Sequence, residues 1–205
     1  GAAPVTLTGI VRIRPGGSEP SGLEQVVLQI DRHVSIERRG VPVCSPARLI
    51  EATLAQARSR CRGALVGTGF GRAEVSLPGQ PTVPVSSRLS LFNGPLVEGN
   101  PSLIAHAYET LPKPQALVVP IEIRRVHHGR YGSRVQLELP PIADGYGVAT
   151  FAEATIGRSF VRRGRRVGYF DASCEGGRLQ VHGTLSFTNG DLAPATFVTP
   201  CRSPG

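Results

Sequence analysis

The sequence predicts a mainly antiparallel all-β fold, a two-sheet sandwich of the jelly-roll sort with about eleven strands and one short disulfide-closed helical hairpin. Apolar residues recur at a period of two along most of the chain, and turn residues separate those runs at nearly even spacing. The 25 glycines and 18 prolines are scattered between the runs, which suits many turns. One stretch alone has helical character. The clearest strand is Leu179 to Phe187, where Leu179, Val181, Gly183, Leu185 and Phe187 alternate with Gln180, His182, Thr184 and Ser186. That period puts one face on a core and the other toward water. Glu175-Gly176-Gly177 before it and Asn189-Gly190-Asp191 after it supply the positive φ angles of tight connections. Residues 170 to 200 therefore read as an antiparallel meander of three short strands, pinned by Cys174 and Cys201.

Taken in order, residues 4 to 14 alternate as a first strand with Val5, Leu7, Gly9, Val11 and Ile13 on one face and no evident partner. Pro15 to Gly22 is rich in glycine and proline and reads as a flexible linker. The expected organisation is thus an N-terminal strand with its linker over 1–22 and a β-sandwich domain over 23–205. A second strand runs from Leu23 to Arg32 with Val26, Leu28 and Ile30 on one face, and a third covers Val34 to Glu37.

Cys44 to Cys61 is the helical stretch. Ser45 suits an N-cap and Pro46 the first helical position. One continuous helix over this length would hold the two cysteines roughly 25 Å apart, too far for a disulfide. Thr53, followed three residues later by Gln56, makes a capping box and predicts a break with a new helix start. Two short helices folded back would pair Cys44 with Cys61 and leave Cys174 for Cys201. Four cysteines allow three connectivities, so the other pairings stay open. Further strands are expected at 64–77, 83–92, 103–110, 117–126, 135–139 and 148–156.

Composition bears on compartment and partners. Four cysteines without a CxxC spacing, the absence of methionine, and a Gly-Ala-Ala-Pro start like the stump left by signal-peptide cleavage all point to an exported, extracellular or cell-surface protein. No apolar run approaches the length of a membrane span. The net charge is +8, and every basic residue but Lys113 is arginine. Arg158, Arg162, Arg163, Arg165 and Arg166 cluster at what reads as a hairpin tip. That tip is either a contact for an anionic cell-wall or extracellular polymer or a solvated loop. With 5% aromatic residues and no recognition helix, no specific nucleic-acid partner is expected.

GVPVCSPARL, ARSRCRGALVGTG, LSLFNG, LIAHAY and YFDASCEGGRLQVHGTLSFTNG with a final PC resemble an uncharacterised group of exported β-rich proteins from high-GC Gram-positive bacteria. The resemblance spans roughly residues 23 to 201 and implies a secreted domain with these same four cysteines. It implies no activity or substrate.

Reactive constellations are scarce. Gly67 to Gly71 fails as a phosphate loop, because Arg72 stands where a third glycine is needed and strand, not helix, follows. Among His33, His106, His127, His128 and His182 only His127 and His128 are neighbours, and on a strand they point to opposite faces. His106 is a candidate to pair with Glu109 or Asp171. Asp144 lies in a turn and Asp171 on a strand, and no paired carboxylates, GxSxG or HExxH occur. The expectation is a non-enzyme without metal or cofactor.

Two classes remain. One is a self-assembling structural subunit, a homopolymer or filament in which Val5, Leu7, Gly9, Val11 and Ile13 complete a neighbour's sheet by strand donation. The other is a monomeric binding module for a glycan, lipid or anionic polymer. The absence of tryptophan and the presence of only Tyr108, Tyr131, Tyr146 and Tyr169 favour assembly.

Overall fold

The computed structural model describes residues 1–13, 21–111, 113–126 and 129–201. Ten strands form one continuous curled sheet. Along its middle, β5 (Leu65–Val75), β6 (Val83–Asn93), β7 (Ser102–Glu109), β8 (Gln115–Arg125) and β9 (Tyr131–Glu138) follow in chain order as a meander. Beyond β9 lie β3 (Leu23–Asp31), β14 (Arg178–Phe187) and β15 (Leu192–Pro200); beyond β5 lie β10 (Gly147–Ile156) and β2 (Leu7–Arg12). A small sheet sets β13 (Phe170–Ala172) between β1 (Ala3–Val5) and β4 (Val34–Ile36). The hairpin of β11 (Ser159–Arg162) and β12 (Arg165–Gly168) stands apart. The pairings within these sheets are antiparallel.

The all-β, antiparallel reading agrees with this structure, and the finer expectations differ. Among the described residues there are fifteen strands, because the first predicted strand splits into β1 and β2 and because the arginine-rich stretch forms a hairpin of its own. The hydrogen bonds trace one ten-stranded sheet with a meander through its centre, whereas a jelly roll divides its strands between two sheets. The predicted meander over 170–200 loses its first strand. β13 pairs with β1 and β4, while β14 pairs with β15 and β3.

Alternation gives the large sheet two different faces. Leu91 and Leu103 point to the side where Ile30, Ile121, Ile123 and Val135 pack against Val34, Tyr169, Phe170 and Ala172 of the small-sheet layer. Their neighbours Phe92 and Ile104 point to the other side and pack under the disulfide-closed segment with Leu49, Ala52 and Ala57. That segment is a 3-10 turn, Pro46–Arg48, followed by one helix, α1 (Leu54–Arg60), so only half of the expected helical hairpin is α-helical. Ser45 makes no side-chain cap. Thr53 and Gln56 form the full capping box, with the Gln56 amide donating to Thr53 Oγ1 at 3.3 Å and the Thr53 amide to Gln56 Oε1 at 2.9 Å. The break at Thr53 lets Cys44 bond Cys61 across a Cα separation of 5.5 Å, and Cys174 bonds Cys201 across 5.2 Å.

Two further devices shape the sheet. A Cβ at Gly67 or Gly69 would run into the Thr155 and Glu153 carbonyl oxygens of β10, so the absence of side chains lets β5 and β10 coil tightly. Tyr169, fully buried, donates to Asn93 Oδ1 at 3.0 Å, and Asn93 Nδ2 donates to the Val41 and Pro42 carbonyls at 3.1 Å each. Burial raises the Tyr169 phenol well above its ordinary range, so it stays a donor and bolts the small-sheet layer to β6.

Candidate functional site

The polar residues singled out in the sequence fall apart in space. His106 is buried between β7 and α1, where Nε2 donates to the Ala52 carbonyl at 2.9 Å and Nδ1 has no partner among the described residues. Burial disfavours its imidazolium and holds its pKa below 6.5. Neither expected carboxylate partner meets it: Glu109 accepts from Gln115 at 3.0 Å and Asp171 from the Gly168 amide at 2.9 Å. Asp144 is exposed and pairs with Lys113 at 3.4 Å, and His182 bonds Thr196 at 2.8 Å. His127 and His128 lie outside the described residues. Among the described residues, His, Cys, Asp and Glu gather in no group of three or more able to hold a metal ion.

Among the described residues Asp31 carries the densest polar cluster, at a position with no catalytic or metal-binding motif around it. Its carboxylate is buried at the end of β3, where Oδ1 accepts from the His33 amide at 3.1 Å and faces His33 Nδ1 at 2.8 Å. Oδ2 accepts from the Gln180 amide at 3.1 Å and pairs with Arg130 Nε at 3.2 Å. Burial pushes this carboxyl up, but the bonds from His33 and Gln180 and the Arg130 charge outweigh it and hold the pKa below 3.8. The Asp-x-His spacing at a strand end was the available signal, since a short Asp side chain there bonds the backbone two residues on. Among the described residues no hydroxyl is hydrogen-bonded to His33. The cluster clasps β14 to β3 where their ladder ends at Ile30 and Val181.

Among the described residues two edges of the large sheet are unpaired, and the register fixes what each exposes. On β2 the Ile13 amide donates to the Thr150 carbonyl at 2.9 Å, so the odd-numbered residues bond β10 and Thr8, Ile10 and Arg12 turn their amides and carbonyls outward. On β15 the Cys201 amide donates to the Gly177 carbonyl at 3.0 Å, so the odd residues bond β14 and the outward positions are Leu192, Pro194, Thr196, Val198 and Pro200. Two of these five lack an N–H. The strand expected to reach a neighbour is thus seated in its own chain, with β1 completing the small sheet and β2 the large one.

Beside the β2 edge, the outer sheet face carries a cluster of arginine and phenylalanine. Arg12, Phe151 and Arg72 stand in one row across β2, β10 and β5. The Arg12 guanidinium lies 5.7 Å and that of Arg72 5.5 Å from the Phe151 ring centre, and Arg72 also lies 5.4 Å from the ring of Phe70. Arg12, Arg72 and Phe151 line a shallow cleft of about 470 Å³ together with Ile13 and Thr150. Only strand register brings residues so distant in sequence together, which is why no motif announced them.

The predicted arginine tip is a true hairpin whose turn places Arg163 and Gly164 at positive φ. Arg162 pairs with Glu37, Arg158 donates to the Gly63 and Leu65 carbonyls, and Arg166 bonds Ser159 Oγ at 3.2 Å. Three of the five arginines thus bond to the protein itself, while Arg163 and Arg165 remain exposed on the hairpin. No helix among the described residues is long and apolar enough to cross a membrane. No protein-family model, curated protein or solved structure matches the chain.

Proposed function

We propose that the protein is a non-enzymatic, secreted structural subunit that associates with a second copy of itself along the free edge of β2. The carrying observation is the open hydrogen-bonding edge at Thr8, Ile10 and Arg12, uninterrupted by proline. Antiparallel pairing about a two-fold axis at Ile10 sets Ile10 opposite its copy and Thr8 opposite the copy's Arg12. Every outward amide then finds a carbonyl. Ile10 is 46% exposed and contributes an apolar contact at the axis. Such an isologous pair closes on itself and gives dimers, whereas head-to-tail donation of the strand would give filaments. Two disulfides support an oxidising, extracellular setting.

Ile10→Pro removes one outward donor and no hydrogen bond within the chain, because Ile10 does not bond β10. Sedimentation across a concentration series should show a monomer–dimer equilibrium whose dissociation constant rises about 100-fold, roughly 2.7 kcal/mol, in this variant. Val198→Pro on β15 should leave it unchanged. A wild-type chain that stays monomeric throughout would overturn the reading in favour of a monomeric binding module, which the arginine and phenylalanine face supports.

A further inference from the structure

We infer that Arg12, Phe151 and Arg72 form a binding site for the carboxylates of an acidic polysaccharide. Two guanidiniums converge on opposite flanks of one ring, and among the described residues neither takes part in an ion pair. Like charges brought together this way repel unless an anion lies between them. Each guanidinium lies over the Phe151 ring, and its fork of N–H donors suits a planar, two-oxygen acceptor, which a carboxylate matches.

Three observations narrow the ligand. The ring of Phe151 is flanked by both guanidiniums and that of Phe70 by Arg72, so the cluster offers charge instead of bare π-surface, and stacked nucleobases are disfavoured. Glu153 and Glu74 stand in the adjoining rows of the same face and repel a densely charged chain such as polyphosphate. A polymer with one carboxylate per sugar meets that constraint. The cleft, about 470 Å³ and shallow, accepts a sugar ring from an extended chain, with the Thr150 hydroxyl beside it as a polar group. The site lies on the face of the sheet and the dimer contact at its edge, so neither proposal requires the other.

The probe is polygalacturonate, titrated calorimetrically into the full chain, with dextran as the neutral polymer and polyphosphate and single-stranded DNA as the phosphate polymers. Polygalacturonate should bind and weaken as salt rises, and dextran should not bind. Arg72→Gln should reduce affinity at least tenfold with an unchanged melting temperature, while Arg163→Gln with Arg165→Gln, on the hairpin, should have no effect. Ile10→Pro should bind as wild type even where it is monomeric. Equal binding of dextran, tighter binding of either phosphate polymer, or undiminished binding by Arg72→Gln would each overturn the assignment. Loss of binding in the hairpin variant would move the site to the arginine tip and overturn it as well.

Discussion

The two free edges of the large sheet invert what their side chains suggest. β15 exposes all nine of its residues, Leu192 and Phe197 among them at 65% and 62%, and carries no charge along its length. Hydropathy would select it as the adhesive edge. Its outward positions nevertheless include Pro194 and Pro200, which leave gaps in the row of donors and set rings where a partner strand would lie. β2 is shorter and ends in Arg12, yet each of its outward positions carries an amide. What an edge can bind therefore depends on which alternate residues face outward, and a profile of apolar character does not report that parity. The same parity explains two prolines inside the sheet. Pro84 turns its nitrogen toward β7 beyond the end of the β6–β7 ladder, and Pro120 stands one residue before the β8–β9 ladder begins.

The contrast is most strongly broken at the covalent anchor. Cys174–Cys201 closes a sequence separation of 27 at the end of β15, and β2 has no such tie. Replacing both cysteines with serine should cost about 3.5 kcal/mol by the chain-entropy estimate. Amide exchange should rise first in β15, and uniform loss of protection would contradict its dependence on the anchor. Next in size is Pro194→Thr, which restores an outward N–H. If proline guards this edge, light scattering should reveal a second association mode that builds species larger than a dimer, with apparent affinity at least about tenfold above wild type. An unchanged size distribution would leave the guard without effect.

The smallest effect is acid. Asp31 has its pKa held below 3.8, so its contribution to stability is present above that value and is lost as pH falls through the lower native one. His106 adds an earlier window. Its native pKa lies below 6.5, so the unfolded chain takes up the proton first and stability declines as pH drops beneath 6.5. Because Asp31 clasps β14, protection of the β14–β15 wing should fall before that of β2 in the lower window, and Asp31→Asn should remove that order.

Local signals in the sequence carried much of this architecture. Alternation located the strands, and Thr53 with Gln56 marked the break that brings Cys44 to Cys61. What it hid is pairing between distant segments. Nothing local in YFDAS says that Phe170 to Ala172 will leave the C-terminal meander to sit between Ala3–Val5 and Val34–Ile36. The candidate sites share that cause. Arg12, Phe151 and Arg72 become neighbours only through register, and the outward parity of β2 follows from its ladder with β10, to which the Ile13 bond to Thr150 belongs. Histidine, conspicuous in the sequence, proved a poor guide, since His106 is buried against a carbonyl and His33 serves Asp31.

The seating of the first strands also imposes a timetable. Ala3–Val5 cannot find Phe170–Ala172, nor Leu7–Arg12 find Phe151–Ile156, until those later segments have been synthesised. The strands β1 and β2 therefore lock late, while the neighbouring strands β5 to β9 assemble from contacts close in sequence. Until β2 docks, the far side of β10 is open, and chains maturing side by side compete to fill it. Crowded synthesis thus favours exchange of N-terminal segments between molecules, and dilute refolding favours each chain recovering its own.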